Sequence, residues 1–164
     1  MLDWDLPSPF VVDYRVEPVH IDTLNHVNNA VYVGWCQEAG WAHSQALGLG
    51  IEEYRQLDTA MAIRHAEYDY IHAAYLNDDL QLGTWLSGCD GRLQLERRFQ
   101  LLRVSDGHCL MRGRWKLVSI CISSGKARRM PAEFVRRYGD AVIAPEPTLA
   151  RGVTAFEGLP EQGR

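Results

Sequence analysis

From Asn29 to Leu47 the chain runs without a proline through Val31, Tyr32, Trp35, Cys36, Ala39, Ala42, Ala46 and Leu47, so that apolar side chains occupy nearly every face of a 3.6-residue period. A helix with that pattern is expected to be wrapped by other elements rather than laid on a surface. Gly48 and Gly50 stop it, and Ile51–Leu57 reads as a short helix or turn. Ahead of it, Phe10–Val19 is β-branched and partly alternating, a first strand. Behind it come four strand-like runs, 60–71, 80–89, 92–104 and 108–122, separated by NDD, DGR and SDG turns. In the third of these, Leu93, Leu95, Phe99 and Leu101 share a face with Arg97, while Gln94, Glu96, Arg98 and Gln100 take the other. One side is expected to be buried and one wet. The order of one strand, one long helix and four strands predicts an α+β fold, an antiparallel sheet against a single hydrophobic helix.

The loop that feeds the helix is the chemically dense part of the chain. Asp22, Asn25, His26, Asn28 and Asn29 crowd into eight residues that end at the helix start. The first amides of a helix have no intrahelical acceptor, and the macrodipole places roughly half a positive charge there. A group that becomes negative during a reaction is stabilised at such an end. Asn28 or Asn29 also suits the N-cap, and an Asp in a turn binds nearby amides.

These residues carry a family resemblance. Asp22, His26, Val27, Asn28, Asn29 and Tyr32 match the Asp-x-x-x-His-Val-Asn-Asn-x-x-Tyr signature of hotdog-fold acyl-CoA thioesterases of the 4-hydroxybenzoyl-CoA thioesterase type. Residues 32–38 also resemble the same region of plant acyl-ACP thioesterases, and 72–85 and 125–138 resemble the family's strand-turn-strand segment and closing helix. The chain departs from these patterns at His20, Leu24 and Asn25. The resemblance implies a hotdog fold over residues 1–140, an antiparallel sheet wrapped around one long central helix, with 141–164 as a C-terminal tail. It implies Asp22 as base or nucleophile, with His26 and Asn25 orienting water or thioester and Glu38, some 13 Å along the helix, as a rival carboxylate. Asn28, Asn29, Ala30 and Tyr32 would bind substrate, the amides around Asn29 holding the oxyanion. Arg128 and Arg129, with Lys126, would meet the phosphates of CoA.

Composition narrows the remaining classes. A net charge of -4 with a pI near 5.8 argues against a nucleic-acid partner. With 46% hydrophobic and 23% charged residues the chain suits one globular domain, and no apolar run is long enough for a membrane span. The acidic, proline-containing start does not resemble a signal peptide, so a cytoplasmic location is expected. Cys36, Cys89, Cys109 and Cys121 lack C-x-x-C spacing and are expected as free thiols, Cys36 as packing. No metal or cofactor is expected, CoA being part of an acyl-CoA substrate. Open sheet edges leave the pocket open on one side, and the hotdog resemblance implies that a second subunit closes it, in a homodimer or homotetramer. Two other readings stay open: a hydroxyacyl-thioester dehydratase or enoyl hydratase, and a non-catalytic acyl-thioester binding protein.

Overall fold

The computed structural model describes residues 2–145. Its elements run β1 (Phe10–Arg15), α1 (Asn29–Ala46), α2 (Ile51–Gln56), β2 (Thr59–Tyr70), β3 (Asp79–Cys89), β4 (Gln94–Arg103), β5 (Cys109–Cys121) and α3 (Ala132–Asp140). β1 ends earlier than the expected Val19. Pro18, which has no N–H to give a ladder, opens a single 3-10 turn at Pro18–His20 instead. The five strands form one antiparallel sheet in the order β1-β3-β4-β5-β2, which leaves β1 and β2 as edges.

The helix α1 lies on one face of this sheet, because the alternation of β3 and β4 sends Leu80, Leu82, Leu86, Leu95, Phe99 and Leu101 to the same side. Trp35, Cys36 and Ala39 complete that core from the helix. Full burial of side chains this size contributes roughly 1.5–3 kcal/mol each. At the helix end Gly48 adopts φ +77, and a Cβ there would lie 1.9 Å from Nη1 of Arg137, which donates to the Leu47 carbonyl at 3.0 Å. Both the conformation and the space demand glycine.

Two expectations are modified. The helix is not enclosed within a single chain, since Gly34, Gln37, Glu38 and Trp41 are exposed. The wet face of the sheet is dry at its centre, because residues 2–9 fold back across it. Gln100 is only 2% exposed, accepting from the Asp5 amide at 2.8 Å and donating to the Asp3 carbonyl at 3.2 Å. Trp85 Nε1 likewise donates to the Pro7 carbonyl at 2.9 Å. Of the expected tail, Val142 bridges Leu86 of β3 and the Ile143 amide donates to its carbonyl at 2.8 Å, while 146–164 lies outside the described residues. Among the described residues no helix is long and apolar enough to cross a membrane.

Candidate active site

The polar loop before α1 is a closed turn. Ile21 and Val27 pair across it, the Asp22 amide donates to the His26 carbonyl at 2.8 Å, and Asn25 sits at φ 60. Asn tolerates that left-handed backbone well, which accounts for its presence at this corner. Oδ1 of Asp22 accepts from the amides of Leu24 at 2.8 Å and His26 at 3.4 Å. This holds the half-buried carboxylate in place and, among the described residues, leaves Oδ2 without a protein partner.

The helix start is organised by Asn28. Its Oδ1 accepts from the Ala30 amide at 2.9 Å, and its carbonyl accepts from Val31 at 2.9 Å. Its own amide is tied to the His20 carbonyl at 2.9 Å, so the cap is anchored on both sides. The Asn29 N–H is left with no protein acceptor among the described residues. Asn29 is exposed, and its N–H stands at the positive end of an 18-residue dipole, seven residues after Asp22.

The other expected residues divide by position. The His26 ring packs edge-on against Tyr75, with centroids 5.3 Å apart, and among the described residues it makes no side-chain hydrogen bond to Asp22, whose carboxylate takes only the His26 backbone amide. Tyr32 is buried at the helix base, where its hydroxyl accepts the Ala74 amide at 3.1 Å and burial pushes its phenol pKa up. Tyr70 reaches from the end of β2 to the Asn29 carbonyl at 3.4 Å. Glu38 is exposed on α1 beside Tyr14, whose phenol is pushed up by burial and then by this carboxylate. Cys36 is fully buried and its thiol is pushed up by desolvation, which suits packing rather than nucleophilic chemistry.

Arg128 and Arg129 stand at the other end of the molecule. Arg128 Nη1 donates to the carbonyls of Leu57 and Asp58, each at 3.3 Å, just before β2 begins. The 12 residues of β2 then separate this point from Tyr70, about 40 Å at roughly 3.3 Å per residue. A single chain does not bring these arginines to Asp22.

Two concave regions accompany this arrangement. The larger, about 860 Å³, lies on the sheet face away from α1, among Asp5, Trp85, Arg98, Arg112 and Arg114, and includes none of the expected site residues. A smaller one, about 170 Å³, opens beside the second half of α1 and contains Arg97. Its polar lining was not singled out as a site from the sequence. The available signal was a charged residue on the apolar face of β4. Among the described residues no group of three or more His, Cys, Asp or Glu side chains is placed to hold a metal ion.

A family model described as the thioesterase-like superfamily matches residues 16–138, most of the chain. The chain belongs to the thioesterase-like superfamily. That membership bears out, at family level, the expected hotdog-type thioester hydrolase. A hypothetical protein of Staphylococcus aureus, solved in complex with CoA, superposes with a TM-score of 0.76 at 17% identity, covering 94% of this chain and 98% of that one. A 1,4-dihydroxy-2-naphthoyl-CoA thioesterase of Synechocystis gives 0.72 at 17% identity over 81% and 97% of the two chains. A probable thioesterase of Escherichia coli gives 0.69 at 21% identity over 82% and 99%. These likenesses establish the fold that this superfamily member shares. No curated protein sequence matches the chain.

Proposed function

We propose that this superfamily member is an acyl-CoA thioesterase, releasing a free acid and CoA. The observations that carry the reading are a carboxylate with a free oxygen on Asp22, held in the closed turn that leads into α1, and an unsatisfied amide on Asn29 at the start of that helix. The match to a CoA-bound structure supports the choice of thiol carrier. In the general-base form, Asp22 takes a proton from water as the oxygen attacks the acyl carbon. The carbonyl electrons move onto oxygen, which the Asn29 N–H and the helix dipole hold, and collapse expels CoA thiolate, which takes up the proton. In the nucleophilic form, Asp22 itself attacks, CoA leaves, and water hydrolyses the resulting anhydride.

His26 and Asn25 serve to orient water or thioester, and Glu38 is the secondary carboxylate. A dehydratase would need a histidine and carboxylate poised together, and the packing of the His26 ring on Tyr75, with no hydrogen bond to the Asp22 carboxylate among the described residues, favours hydrolysis.

The assembly is part of the proposal. β2 is a 12-residue edge with Ile63 and Tyr70 exposed, and α1 keeps an uncovered stripe. Antiparallel pairing of two β2 edges in a homodimer, or a homotetramer built from it, sets the start of one strand beside the end of the other. Arg128 and Arg129 of one copy then approach the Asp22 loop of its partner, where CoA phosphates would lie. The second copy also covers α1, which completes the wrapped helix of the hotdog arrangement.

Thiol release from a panel of aromatic, short and long acyl-CoAs tests the reading. Release from at least one member is expected. Release from none, with an enoyl-CoA hydrated instead, would transfer the site to dehydratase chemistry.

A further inference from the structure

Arg97 is 3% exposed beneath α1, and no carboxylate among the described residues faces it. Its Nη1 donates to Nδ1 of His43 at 3.0 Å and to Oγ1 of Thr84 at 3.2 Å, and Nη2 donates to Oγ of Ser44 at 3.3 Å. All three acceptors are neutral. The other polar groups near it are the hydroxyls of Tyr138 and Tyr54, which bond each other and are held as neutral phenols by burial. Taking a guanidinium out of water without a counter-ion is strongly unfavourable, a penalty that a bound anion offsets. Guanidinium has five N–H donors, and these bonds use three, so Nε–H and one Nη2–H are left over among the described residues. Two such donors suit a bidentate carboxylate.

The space for that anion adjoins the arginine. Trp41, Met61, Leu95, Trp115 and Leu117 form apolar walls of the 170 Å³ cavity, and Arg97 is part of its lining. Gly40 keeps the helix clear there: a Cβ would stand 3.2 Å from Trp115 Cζ3 and 3.7 Å from Nε of Arg97. An apolar cavity of roughly 150 Å³ is enough to hold a benzene ring.

We propose that this cavity binds a small, largely apolar carboxylate, its charge on Arg97 and its body among Trp41, Trp115 and Met61. The carboxylate has two sources. One is a free acid, which needs no assumption about catalysis. The other is the distal carboxylate of an acyl thioester, which rests on the thioesterase reading, with Met61 and Ile63 on the edge strand where a second copy would bring its helix start.

Titration of the full-length protein with benzoate and with neutral benzamide, followed by tryptophan fluorescence and calorimetry, tests the site. Benzoate is expected to bind at least 10-fold more tightly than benzamide. Arg97→Met should erase that preference, and Arg97→Lys should keep part of it. Ile63→Trp, at the partly exposed mouth, leaves the arginine untouched and should weaken benzoate at least 10-fold, so the location is testable even if the Arg97 variants fail to fold. Equal affinity for the two ligands, no binding of either at millimolar concentration, or benzoate binding indifferent to Ile63→Trp would each overturn the proposal.

Thiol release from glutaryl-CoA and from butyryl-CoA separates the sources. A 10-fold preference for glutaryl-CoA with competitive inhibition by benzoate assigns the site to the acyl group, whereas benzoate binding without either assigns it to a free acid. Thiol release with no benzoate preference leaves the thioesterase standing and removes the site. Benzoate binding with no thiol release from any acyl-CoA does the reverse.

Discussion

Nη1 of Arg97 donates to Nδ1 of His43 at 3.0 Å, so the imidazole beneath the second half of α1 is a neutral acceptor. Burial, followed by the adjacent guanidinium, lowers the His43 pKa from 6.5 to about 4. The folded state therefore binds fewer protons at this ring than the unfolded state between those values, and stability falls as pH drops through that window. With a discount for the ring's partial exposure, the loss is about 2 kcal/mol. Urea unfolding of wild type and His43→Asn at pH 7 and pH 4.5 checks this, since the difference between the two proteins should shrink at the lower pH.

Asp22→Asn keeps the shape of the turn and an acceptor for Leu24 but removes the basicity. Turnover should fall by roughly 10² to 10⁴, with substrate affinity little changed. Glu38→Gln is the companion variant, and a larger loss there with Asp22→Asn near normal would move the base onto the helix. Wild-type turnover in both folded variants would end the carboxylate mechanism.

The Asn28 cap separates stability from catalysis. Asn28→Ala loses the bond to Ala30 and should cost about 1 kcal/mol in thermal unfolding. Asn28→Asp keeps the cap but sets a negative charge beside the Asn29 amide. If the oxyanion forms there, kcat should drop by about 10-fold or more while the melting temperature holds, and an unchanged kcat would place the oxyanion elsewhere.

Gly83 on β3 meets the N-terminal segment so closely that a Cβ would lie 2.6 Å from Cζ3 of Trp4. Gly83→Ala should destabilise the fold by about 1–3 kcal/mol through overpacking. Trp4→Ala in the same background should restore part of the loss, and simple additivity of the two changes would show that they do not meet.

Sedimentation of the purified protein should give at least twice the 18.6 kDa of one chain. A fully active monomer at that mass would remove the paired β2 edges and the contribution of Arg128 and Arg129 from the partner.

What the sequence determined by itself is local and periodic. The proline-free run into Ala46 specified α1, the two-residue alternation of 92–104 specified which side of β4 meets it, and a cap at Asn28 or Asn29 was readable because such a side chain bonds only two residues away, as Asn28 does. The superfamily, too, was legible in the loop from Asp22 to Tyr32, where spacing along the chain is nearly spacing in space. Tertiary structure alone decided the contacts that join distant positions. Gln100 is dry only because Asp3 and Asp5 fold over it, and no period in β4 encodes that. Arg128 is committed to carbonyls at the start of β2 because the sheet pairs that strand with β5, far from the loop it was expected to serve. Arg97 stood out in the alternation as a charge on an apolar face. That it lies without a carboxylate, between His43, Ser44 and Thr84 and beside an open cavity, follows from packing α1 across β3 and β4, which brings together residues tens of positions apart.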